Sequence, residues 1–151
     1  MPSGYSKIID GKMNIRTLED IERLEMLEEL ILELQALADA GAIIVVEGRR
    51  DVESLRSLGI NGDIKLSSQQ PLLDFTEGLS RCGEDIVLLT DWDRKGGMVA
   101  RKIKDYLQAY GIMPNTDIRS RMGSLVKKRI KDIESLSRYI RKLRYELHGT
   151  D

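Results

Sequence analysis

Asp85-Ile86-Val87-Leu88-Leu89-Thr90-Asp91-Trp92-Asp93-Arg94-Lys95-Gly96-Gly97 is the stretch on which the fold turns. An uncharged apolar run stops at two aspartates, then two glycines and a helical pattern follow. A short apolar run bounded in this way reads as a buried parallel strand. Open α/β sheets place their ligands at the carboxyl ends of such strands. Side chains alternate along an extended backbone, so Asp91 and Asp93 are expected on one side and Trp92 on the other. Neighbouring carboxylates repel, and a hard divalent cation with oxygen ligands is the usual compensation. This stretch alone equally admits a plainer role, in which the aspartates start a turn and cap the next helix.

Ala42-Ile43-Ile44-Val45-Val46-Glu47-Gly48-Arg49-Arg50-Asp51 repeats the build. A β-branched run meets an acid, a glycine and a helix start. If the two strands are neighbours in a parallel sheet, Glu47, Asp91 and Asp93 come to one rim.

Glu47-Gly48 after one strand and Asp91-Trp92-Asp93 after a later one resemble the Toprim domain over about residues 41 to 120. Topoisomerases, bacterial primases and small nucleases that mature ribosomal RNA share that module. The chain's size is most similar to small stand-alone Toprim proteins of archaea and bacteria. The resemblance implies Mg2+ held by Glu47, Asp91 and Asp93, with Glu47 also acting as general acid or base. It implies nucleic acid as partner and phosphodiester hydrolysis or nucleotidyl transfer as chemistry. The alternative it leaves open is a non-catalytic module that binds nucleic acid or a partner protein. One or two ions are implied. Type II topoisomerases have a third aspartate two positions on, where this chain has Lys95, so Asp91 is the only evident bridging ligand for a second ion.

Around the rim, Gly48 and Gly96 allow close backbone approach to a phosphate, although turn geometry alone also explains them. Arg49, Arg50 and Lys95 flank the same rim and suit phosphate oxygens, or stand as solvated charges.

Strands alternate with helices, which predicts an α/β fold: a three-layer α/β/α unit with a small, mainly parallel four-stranded sheet. The strands are expected at Ala42–Val46, Asp63–Ser67, Ile86–Thr90 and Thr116–Arg119. The organisation reads as one structural unit. Residues 1–40 are an arm and an acidic amphipathic helix capped by Thr17, residues 41–120 the central domain, and residues 121–151 a basic terminal helix. That last helix is expected from about Ser124 to Leu147, with Val126, Ile130, Ile133, Leu136, Ile140, Leu143 and Leu147 as its buried stripe.

Composition excludes several classes. At 41% hydrophobic and 32% charged residues, the 151-residue chain suits a soluble single domain. It has no apolar run long enough to span a membrane and no signal-peptide pattern. One cysteine, Cys82, and one histidine, His148, exclude an internal disulfide and a single-chain Cys/His zinc site, and fit a reducing cytosol. The net charge of −1 hides an acidic start and a basic end. Those ends can pair within the chain or with a second copy, or the basic end can meet phosphates.

Overall fold

The computed structural model describes residues 14–149. Most of the arm read at Met1–Arg16 therefore lies outside the described residues. Elements follow in the order α1 (Ile15–Asp39), β1 (Ile43–Val46), α2 (Arg49–Ser57), β2 (Ile64–Leu66), a 3-10 turn (Ser67–Gln69), α3 (Leu72–Ser80), β3 (Ile86–Leu88), α4 (Arg94–Gln108), α5 (Asp117–Val126) and α6 (Leu136–His148).

The sheet is parallel, in the order β2-β1-β3, with β1 in the middle. Ile44 pairs with Ile64 on one side and with Val87 on the other. A central parallel strand is covered on both faces, which is why β1 reads as four consecutive buried β-branched residues. Ile44, Val46, Val87 and Leu89 pack into a core with α1, α2, α5 and α6. Ile43, Val45, Ile86 and Leu88 pack into a second core with Phe75 and Leu79 of α3 and Ile103 and Leu107 of α4. Two helical layers thus enclose one small sheet.

The sheet has three strands, not the expected four. Asn115 makes a single parallel bridge to Val87, donating to Ile86 O at 2.7 Å and accepting from Leu88 N at 2.9 Å. Its side-chain Oδ1 then accepts from Asp117 N at 2.9 Å and Ile118 N at 3.3 Å. An Asn side chain that satisfies the next amides starts a helix and ends a strand. The stretch expected as β4 therefore opens α5.

The terminal helix is also corrected: it is two helices with a break at 127–135. Lys131 O accepts from Trp92 N at 2.8 Å, and Ile133 N donates to Asp91 Oδ1 at 3.0 Å. Those groups would otherwise belong to a helical ladder. Asp132 Oδ1 then accepts from Ser135 N at 2.8 Å just before α6. Tertiary hydrogen bonds to the β3 rim thus override a continuous helical period. The apolar stripe is nonetheless inside: Val126, Ile133, Leu136, Ile140, Leu143 and Leu147 are buried, and Ile130 packs against them partly buried.

At the other end, α1 is capped by Asn14 and not by Thr17. Asn14 Oδ1 accepts from Thr17 N at 2.8 Å, and Thr17 is buried. The acidic and basic ends do meet within the chain, through Arg121–Glu33 at 3.1 Å and Arg144–Glu28 at 3.0 Å. Such exposed pairs contribute little individually.

Trp92 anchors α5 beneath the rim. Its Nε1 donates to Arg119 O at 2.9 Å. A Cβ at Gly123 would lie 2.7 Å from its indole. Overpacking a tight contact of this kind costs about 1–3 kcal/mol. Gly123→Ala should therefore lower the urea midpoint by a corresponding amount, and an unchanged midpoint would contradict the packing described.

Candidate functional site

The carboxyl ends of β1 and β3 lie side by side, as the pairing of Val45 with Leu88 requires. Glu47 follows β1 directly, and its Oε2 accepts from the backbone N–H of Asp91 at 2.8 Å. One carboxylate therefore reaches across to the backbone that carries the other. Gly48 opens α2 in extended backbone, and Asp51, three residues on, accepts from Gly48 N at 3.0 Å. Asp51 is thus held inside the first turn of α2, almost fully buried, rather than standing ahead of it.

Asp91 presents its carboxylate to the break between α5 and α6, where Ile133 N donates to Oδ1. Burial pushes this carboxyl up to about 7; the Ile133 amide opposes the rise, and the negative charges of Asp51, Glu47 and Asp132 add to it. Burial likewise raises Asp51, with the Gly48 amide opposing and neighbouring carboxylates, Glu47 first among them, adding. Glu47, Asp51 and Asp91 thus form an acidic cluster at the rim, each raising the cost of charge on its neighbours.

Asp93 has a different local duty. Its Oδ1 accepts from Gly96 N at 2.7 Å and caps α4. Gly96 is buried in this turn, and a Cβ there would lie 2.0 Å from Asp91 O. Buried Thr90 donates its hydroxyl to Gly96 O at 2.7 Å. Gly96 is therefore required by the close passage of β3's end against α4, and its amide is engaged by Asp93.

Arg119, which the sequence offers only as the end of the expected fourth strand, lies on α5 and reaches the site. Its Nε donates to Thr90 O at 2.9 Å and its Nη2 to Asp91 O. Burial lowers its pKa, and the charges of Glu47, Asp91 and Asp93 oppose that change. The guanidinium fixes the carbonyls of Thr90 and Asp91 while supplying a half-buried positive charge. No spacing rule links it to the motif, because it reaches the site from a different helix.

A cleft of about 640 Å3 opens at this rim, lined by Glu47, Asp91, Asp51 and Glu134 and by Gly48, Arg49, Arg50 and Lys95. Arg50 lies 3.5 Å from Glu134. Asp93 and Gly96 are not among its lining residues.

Among the described residues no three acids, cysteines or histidines are grouped as a ready cage for a metal ion. The donor chemistry fits an ion that needs few protein ligands. Among the described residues, Glu47, Asp91 and Asp93 each have one carboxylate oxygen in an internal hydrogen bond and a second oxygen with none. Mg2+ keeps several waters and takes one or two protein carboxylates plus substrate phosphate. The residues present suit that mode.

The chain belongs to the Toprim-domain family, whose family model matches residues 42–125. This is a metal-binding, nucleic-acid-related fold. Its relatives include a UPF0292 protein of Methanosarcina barkeri, 47% identical over 123 residues that make up 82% of this chain and 86% of that one. A UPF0292 protein of Methanocaldococcus jannaschii is 40% identical over 122 residues, covering 80% of this chain and 94% of the other. A solved structure of a protein from Aquifex aeolicus matches with TM-score 0.61 at 30% identity, over 72% of this chain and 96% of that chain. No helix among the described residues is long and apolar enough to cross a membrane.

Asp91 ionises near pH 7 in the folded protein, against an ordinary value of 3.8. Between those values the folded state holds a proton that the unfolded state releases. Stability of the metal-free protein therefore falls as pH rises from about 4 to about 7. Asp51 acts with the same sign. Urea titrations in EDTA at pH 5 and pH 8 should show the fall, and Asp91→Asn should reduce it. An equal pH dependence in that variant would remove Asp91 as its source.

Proposed function

We propose that this protein is a Mg2+-dependent enzyme acting on phosphodiester bonds of nucleic acid, by hydrolysis or nucleotidyl transfer. The observation that carries the reading is the Asp91 N–H···Glu47 bond of 2.8 Å. It gathers Glu47 and Asp91 at one cleft and leaves each with a second oxygen for other work. Glu47, Asp91 and Asp93 would hold Mg2+, which when bound neutralises charge on a phosphoryl group and orients the attacking oxygen.

The remaining roles fall to the chain. Glu47 is fixed on one oxygen by the Asp91 amide, so its other oxygen is left either to ligate Mg2+ or to take a proton from the attacking group and give one to the leaving group. Arg49 and Lys95 stand on the cleft wall and bind non-bridging phosphate oxygens. Arg50 does the same once a phosphate displaces it from Glu134, a pair already long at 3.5 Å. Gly48, at the start of α2, lets backbone come close to the same phosphate. Arg119 works from below: by holding the Thr90 and Asp91 carbonyls it keeps Asp91 aimed while the cleft fills. The site lies where an ordered strand end meets two helix starts, a rigid place from which to position a substrate.

Cleavage of labelled RNA and DNA oligonucleotides with and without Mg2+ tests the reading. Wild-type protein should cleave at least one of them only with the metal. Glu47→Gln should cut turnover on the order of 10²–10⁴-fold while strand affinity is retained. Strand binding without turnover in any divalent metal would make the protein a non-catalytic binding module. Full turnover in Glu47→Gln would take Glu47 out of the chemistry.

A further inference from the structure

A second hollow, of about 510 Å3, lies away from the carboxylates, between the first turns of α1, the residues just after α5, and α6. Its walls carry four cations: Arg16, Arg129, Arg138 and Lys142. All four lie outside the 42–125 stretch that matches the family. Among the described residues none of the four is in an ion pair, whereas Arg121 and Arg144 of the same basic end are each matched to an acid of α1. Two acids share the wall, and one of them, Asp20, is already held by Arg23 at 2.6 Å.

Tyr139 lines the same hollow, and its hydroxyl is buried without a hydrogen-bond partner. A buried hydroxyl is normally satisfied, so an orphan one calls for a missing partner. Cations gathered around a concavity repel one another unless an anion joins them. A phosphate answers the second demand, since it matches the fork of arginine; the hydroxyl, sealed from solvent, meets it only when the side chains over it close on the phosphate instead. The volume lies within the range of about 300–1,000 Å3 common for small-molecule sites.

The hollow is not isolated from the carboxylate cleft. Between them lies a smaller one of about 330 Å3 that includes Arg50, Glu134 and Arg138 in its lining. It shares Arg50 and Glu134 with the cleft and Arg138 with the cationic hollow. The three form one track past the start of α6.

We infer that the cationic hollow binds a phosphate of a nucleic-acid strand whose neighbouring phosphates follow this track to the carboxylate cleft. Arg129, Arg138 and Lys142 hold the phosphate, and the Tyr139 hydroxyl donates to one of its oxygens. The strand as occupant rests on the function proposed above, while the hollow's preference for phosphate does not. A footprint outside the family's shared region gives this chain a way to select a substrate by the length of strand flanking the reacting bond.

The test uses full-length protein in EDTA, so that binding is read without turnover. Anisotropy titrations of labelled single-stranded RNA and DNA 12-mers compare wild type with Arg129→Gln/Lys142→Gln and with Tyr139→Phe. The double variant should bind at least about tenfold more weakly, with a salt slope shallower by up to roughly 0.7, the share of one phosphate contact on a single strand. Tyr139→Phe keeps the ring in place and should lose several-fold in affinity with the slope unchanged. Affinity and slope unaffected by both changes would overturn the proposal. Adenosine monophosphate and inorganic phosphate, added alone in thermal-shift assays, separate the sources. Stabilisation by them that the double variant loses, with no strand binding at any salt, would overturn the assignment to a strand. Strand binding that behaves as expected in a protein without nuclease activity would sink the catalytic reading and leave the track in place.

Discussion

The hydrogen bond from the Asp91 amide to the Glu47 carboxylate ties the ends of two parallel strands into one site. Its consequence is electrostatic. It holds Glu47 close to Asp91 in a setting where Asp51 and Asp132 also contribute negative charge, and the burial of Asp91 makes that charge expensive to keep. Arg119 offsets only part of it, and does so through backbone carbonyls rather than by pairing with a carboxylate. A rim built in this way favours a cation from outside, and the proposed function rests on that preference.

The same rim shapes the rest of the carboxyl-terminal third. The chain between α5 and α6 does not continue a helix, because Trp92 and Asp91 claim a carbonyl and an amide from it. That break brings Glu134 to the wall of the cleft, and α6, which follows it, builds the cationic hollow with α1. Acidic α1 and the basic end then meet through a few exposed pairs, and several cations of 127–142 remain for a polyanion.

Much of this was legible in the sequence where chemistry and period coincide. Ile43–Val46 could hardly be anything but a doubly covered strand, and Glu47-Gly48 with Asp91-Trp92-Asp93 carried the family resemblance. What was not legible depended on contacts distant in sequence. Nothing near Arg119 announces that it will hold Thr90 and Asp91. The apolar stripe from Val126 to Leu147 keeps helical spacing across a break that only the β3 rim imposes. Asn115 reads as a loop residue until its side chain is seen to convert an incipient fourth strand into α5. The spacing of Asp93 from Asp91 suggests a ligand, and the structure shows it capping α4. Capping and metal ligation had been opposed readings, and one oxygen for each makes them compatible.

Mn2+ takes the same hard oxygen ligands as Mg2+ and gives an anomalous X-ray signal. Metal ligation by these carboxylates is therefore read in an anomalous difference map from crystals soaked in Mn2+. A peak is expected within coordination distance of Glu47 and Asp91, at the mouth of the cleft. A peak elsewhere, or none at these carboxylates while the ion is bound at another place, would contradict it.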